Sequence, residues 1–126
     1  MKRFLLGAGL LIGIFILGFW IGSQGHDRLA PITRDLEQAA SLALAGDLEG
    51  GGLLATRAMD SWEANRKVLA IFSDHQPMDR IDALLAQTRY YKDGGFRVEF
   101  AACCSQTAKF LRASSDTFLL NWWNLL

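Results

Sequence analysis

His75 stands among three carboxylates, Asp74, Asp79 and Asp82, and this is the one concentration of titratable groups around a histidine in the sequence. Imidazole beside carboxylate is the raw material of an acid–base pair or of a metal site. A metal site needs three or four converging ligands, preferably with a second His or Cys at short spacing. The other histidine, His26, lies far away in sequence. Acid–base catalysis needs a positioned nucleophile or an orienting partner as well, and the sequence offers neither. The same residues read more simply as helix-end electrostatics. His75 falls at the C-terminal end of one helix, and Asp79 and Asp82 near the start of the next, each favourable against the helix dipole. No catalytic residue, metal ligand or cofactor is expected, and the chain reads as a non-enzyme.

The two cysteines, Cys103 and Cys104, are adjacent. Neighbours on a helix point about 100° apart, so a disulfide between them would be strained. Two such thiols are also too few for a metal site of the spaced Cys-x-x-Cys kind. They read as small residues straddling a core-facing stripe. Trp62 sits in the middle of an apolar stripe and reads as core, while Asn65 is the polar exception on that stripe. A buried polar site near Asn65 and His75 is the feature that would support the alternative, a small-molecule-sensing or enzymatic helical bundle.

These residues have to be positioned by helices. Phe4 to Ile21 is an uncharged apolar run after Lys2-Arg3. As a helix it spans roughly 27 Å, close to the ~30 Å hydrocarbon core of a bilayer. A cleaved signal peptide usually has an apolar stretch of only about 7–15 residues before a small-x-small site. Here the run is longer and Ile21-Gly22-Ser23 is a poor site, so a retained anchor is expected, with a secreted helical domain as the alternative. Two cations lie tight against the N-terminal end, whereas Arg28 and Arg34 lie farther past the other. The positive-inside rule then puts residues 1–3 in the cytoplasm, 4–22 across the membrane, and the rest outside the cell membrane. Gly9 and Gly13, then Gly18 and Gly22, are small-xxx-small pairs that allow close helix packing in lipid and hence a homodimer.

Beyond a polar neck, residues 23–30, the domain of residues 31–126 reads as all-α. Leu29, Ile32, Leu36, Ala39, Ala40 and Ala43 follow an i, i+3, i+4, i+7 rhythm. Pro31 suits the first turn, and Gly46 supplies a C-terminal cap. Gly50-Gly51-Gly52 reads as loop or a frayed first turn, since each glycine costs about 1 kcal/mol in a helix interior. Ala58, Trp62, Leu69 and Phe72 mark a second helix, and Ser73 to Pro77 a turn. Ile81, Leu84, Leu85, Thr88 and Tyr91 form the inner face of a third helix, starting near Met78. Asp93-Gly94-Gly95 ends it, and Phe96, Phe100, Cys103, Thr107, Phe110, Leu111 and Ser114 line a fourth. No segment alternates with a period of two. The expected fold is an N-terminal transmembrane helix followed by an antiparallel bundle of about four helices.

Gly46-Asp47, Trp62, Asp74-His75, Asp79-Arg80-Ile81-Asp82 and the ending Asn121-Trp122-Trp123-Asn124-Leu125-Leu126 resemble the domain of unknown function family 4363. That family consists of short, single-anchor helical proteins of Firmicutes and relatives. The resemblance covers roughly residues 44–126 plus the anchor layout. It implies architecture and location, and no activity. The chain departs from it at the triple glycine, where a continuous helix is expected, and in its tryptophan-rich tail.

The composition bounds the partners. The 13 basic residues fall to 11 when Lys2 and Arg3 are set aside, against 13 acidic residues. No basic run exceeds Arg66-Lys67, so a nucleic-acid partner is excluded. Phe118 to Leu126 holds seven large apolar side chains, more than a solvated end carries. Ser114-Ser115-Asp116 reads as a stop and restart that folds this tail back onto the bundle, with Trp122 and Trp123 as candidate contacts for a partner. The expected partners are the lipid bilayer and an envelope protein. The expected function is that of an accessory subunit, scaffold or sensor.

Overall fold

The computed structural model describes every residue except 73, 74, 125 and 126. The side chains of residues 21–27, 69, 71–75 and 116–126 also lie outside the description. Four helices are described: α1 (Lys2–Leu44), α2 (Leu48–Phe72), α3 (His75–Gly94) and α4 (Arg97–Asn124). Among the described residues there is no strand.

The chain reverses between α1 and α2 through a glycine in the left-handed region. Gly46 has φ 99°. Its N–H bonds to the Ala43 carbonyl at 3.1 Å, and the next N–H, of Asp47, reaches the Leu42 carbonyl at 2.8 Å. This pair of bonds is a Schellman ending, which satisfies carbonyls that the helix leaves open. The Asp47 carboxylate then accepts the Gly50 N–H at 2.8 Å and caps α2. The α3–α4 turn repeats the device. Gly95 has φ 76°, Gly95 N–H meets Lys92 O at 3.2 Å, and Phe96 N–H meets Tyr91 O at 2.9 Å. The Tyr91 and Phe96 rings pack edge-on at 6.2 Å, the apolar contact that accompanies such an ending.

Several expectations are corrected. Of the two readings of Gly50, Gly51 and Gly52, loop or frayed first turn, the loop is overturned: all three lie in the opening turns of α2. A Cβ on Gly51 would stand 2.7 Å from the Ala39 carbonyl oxygen and 3.3 Å from the Phe100 ring. The lost helix propensity is offset by close approach of α1 and α2 around buried Phe100. Pro31 lies inside α1, not in a first turn, because α1 is helical from the apolar segment through the neck into the domain. Its ring is on an exposed position. The Ser114-Ser115-Asp116 break does not occur either, since α4 runs through it to Asn124. Pro77, expected in a turn before a helix from Met78, belongs to the first turn of α3, which tolerates a missing N–H there. His75, expected at the C-terminal end of the preceding helix, is the first residue of α3.

α1 packs against α2 and α4, and α3 closes the arrangement between α2 and α4. The bidentate Arg57–Asp35 pair at 2.9 and 2.6 Å and the Arg28–Asn65 bond at 3.1 Å show α2 running opposite to α1. The Arg97–Leu44 and Arg112–Glu37 contacts show the same for α4. The core follows the stripes. Leu29, Ile32, Leu36, Ala39, Ala40 and Ala43 of α1 are buried, with Ala55, Ala58 and Trp62 of α2, Ile81 and Leu85 of α3, and Phe100, Cys104 and Leu111 of α4. Buried threonines satisfy themselves. Thr33, Thr88 and Thr107 donate to the carbonyls of Leu29, Leu84 and Cys103 at 3.1, 2.8 and 2.7 Å. Phe96, expected on the inner seam, is instead exposed at the turn.

The N-terminal half of α1 stands outside this core. Lys2–Trp20 is long and apolar enough to cross a membrane. Leu5, Leu10, Leu17 and Phe19 are each more than three-fifths exposed.

Candidate functional site

Of the neighbouring helix pairs, α2 and α3 touch least, and a cleft of about 530 Å³ opens between them. Its floor is Met59, Trp62 and Leu85, and its walls carry Asp60, Glu63, Arg66, Asp82 and Arg89. Helical spacing explains the set. Met59, Trp62, Glu63 and Arg66 lie three or four apart on one face of α2, as Asp82, Leu85, Ala86 and Arg89 do on α3.

Asp82 organises the cleft. Trp62 donates its indole N–H to Asp82 Oδ1 at 2.7 Å, and Arg66 Nε donates to Oδ2 at 2.9 Å. A second Arg66 nitrogen lies 2.8 Å from Asp82 and 3.8 Å from Asp79. The hydrogen bond and charge of Asp82 raise the guanidinium pKa of Arg66 above its ordinary value. At the other end, Arg89 reaches the Met59 sulfur at 3.6 Å. Both oxygens of Asp82 are thus engaged in holding α2 against α3. The cleft is apolar at its base and bears both charge signs at its rim, an arrangement suited to receiving a side chain or a peptide edge.

The residues singled out in the sequence fall elsewhere. Asn65 is half-buried, but its amide donates to the Ser61 carbonyl at 2.7 Å and its oxygen accepts from Arg28 at 3.1 Å. It locks α2 to α1 and does not line the cleft. The His75 side chain lies outside the description, as do those of Trp122 and Trp123 and the burial of Gly22. Among the described residues no three His, Cys, Asp or Glu side chains converge on a metal position. Gly9 and Gly13 have nothing within 4 Å and present an open face, whereas Gly18 is buried.

Cys103 and Cys104 are buried, free thiols. The Cys103 thiol donates to Leu84 O at 3.4 Å. Burial, with the neighbouring Cys103, pushes the Cys104 thiol up to about 12, so it is an unreactive core group.

Sequence reasoning missed the role of Asp82, which it placed among helix-start charges. The legible signal was Trp62 and Arg66, four apart on one face, needing a common acceptor.

Comparison with protein-family models, curated proteins and solved structures returns no match.

Proposed function

We propose that this chain is a membrane-anchored envelope module that acts through protein contacts, with its bundle on the outer side of the cell membrane. The observation that supports it is the continuity of α1. One helix supplies both the exposed apolar segment, Lys2–Trp20, and the central core stripe from Leu29 to Ala43. A domain on a flexible tether samples many orientations; a domain whose core helix is also its anchor presents its faces at a fixed height and tilt. Such presentation serves an accessory subunit, scaffold or sensor.

The contact face in this reading is the α2–α3 cleft. Its carboxylates and guanidinia are arranged for binding, with Asp82 committed to Trp62 and Arg66. A place in family 4363 fits the same layout. Self-association through Gly9 and Gly13 fits the open face they present.

Photocrosslinking residues placed at Glu63 and Ala86, on the cleft rim, test the reading in native membranes. A discrete crosslinked protein from these positions, absent when the probe sits at exposed Gln38 of α1, is the expected result. Equal labelling from both faces overturns it.

A further inference from the structure

Two helix ends converge on the level at which α1 leaves its apolar segment. Asn65 of α2 bonds Arg28 of α1, and α2 continues seven residues to Phe72, about 10 Å further at 1.5 Å per residue. That brings its end level with Ile21. Ser115 of α4 shares a surface recess with Leu29 and Ala30 of α1. α4 then continues nine residues to Asn124, about 13 Å, which brings its end level with Trp20. The helix turns that make this descent read Val68-Leu69-Ala70-Ile71-Phe72 in α2 and Phe118-Leu119-Leu120-Asn121-Trp122-Trp123 in α4. Both are among the most apolar stretches outside the anchor itself. Gly18 is buried whereas Gly7, Gly9 and Gly13 are exposed.

Resting on the reading of α1 as a membrane anchor, we infer that the C-terminal turns of α2 and α4 are seated in the headgroup–acyl boundary of the leaflet from which α1 emerges. The bundle is docked on the lipid surface by three helices. Two arguments favour lipid as the occupant. The two helix ends lie level with the outer edge of the apolar segment of α1, where tryptophans concentrate in membrane proteins. Exposed Lys67 and Arg80 stand at the same end of the bundle beside exposed Asp79, so this end offers both charge signs to a phospholipid headgroup. Trp62, ten residues before Phe72, is then held about 15 Å above that boundary, and the cleft opens sideways over the membrane.

Fluorescence quenching by brominated lipid tests this with the full chain reconstituted in phosphatidylcholine–phosphatidylglycerol vesicles whose acyl chains are brominated near the headgroup. The W20F variant reports Trp122 and Trp123, the W122F/W123F variant reports Trp20, and W20F/W122F/W123F gives the Trp62 background. Helix content by circular dichroism shows that each variant is folded. The proposal predicts that the emission of Trp122 and Trp123 is quenched to about the same extent as that of Trp20, with Trp62 unquenched. Absence of quenching above the Trp62 background in W20F overturns it, and leaves the anchor standing if W122F/W123F is quenched. Absence of quenching in W122F/W123F overturns the anchor reading and this inference with it.

Discussion

Trp62 on α2 donates its indole N–H to Asp82 on α3 across 2.7 Å, tying a core aromatic to the carboxylate that also holds Arg66. The ring is 3% exposed, so packing and hydrogen bond are separable. Trp62→Ala removes both and should cost about 3–5 kcal/mol. Asp82→Ala keeps the packing but leaves the indole donor unpartnered, costing about 1–3 kcal/mol. Urea denaturation followed by circular dichroism checks both, and equal losses would show that the bond, not the packing, dominates.

The three consecutive glycines of α2 differ in what surrounds them. Gly51 faces the Ala39 carbonyl, a backbone atom that cannot step aside, whereas Gly52 faces only the Lys92 side-chain stem at 3.1 Å. Gly52→Ala should be neutral or stabilise by up to about 1 kcal/mol through helix propensity. Gly51→Ala should destabilise by about 1–3 kcal/mol, as overpacking does. Thermal melts of the two variants rank them directly.

Burial of Cys104 makes stability depend on alkaline pH. Its thiol is pushed up to about 12 in the fold, against about 8.5 in an unfolded chain. Above about pH 8.5 the unfolded state loses the proton while the folded state keeps it, so stability falls as pH rises from there toward 12. Below pH 8 the term is constant. Cys104→Ala should flatten the decline in denaturation midpoints between pH 8 and 10. The native thiols should also resist alkylation at pH 8 and react once the chain is unfolded.

Much of the architecture was legible because apolar spacing is a local signal. All six residues assigned to the inner stripe of α1 are buried, and Gly46 does supply the left-handed cap. What the sequence hid was non-local. Gly51 looks like a helix breaker until Ala39 and Phe100 are brought against it. Ser114-Ser115 looks like a stop, yet Ser115 is buried and α4 passes through. The cleft was invisible for the same reason, since Asp82 meets Trp62 and Arg66 only when α3 folds back on α2.

The central claim is that α1 is at once a retained anchor and the core helix of an outward-facing bundle. Its most direct test is a cysteine at Asp93, an exposed residue in the turn at the membrane-distal end, in a chain whose own thiols are buried. Cells expressing the Asp93→Cys full-length chain are stripped of outer permeability barriers and treated with a membrane-impermeant maleimide. The membranes are then washed with carbonate. The account predicts a labelled, full-length chain that stays in the washed membranes, with labelling unchanged when the cells are lysed first. A shortened chain released to the medium, or label gained only after lysis, would contradict it.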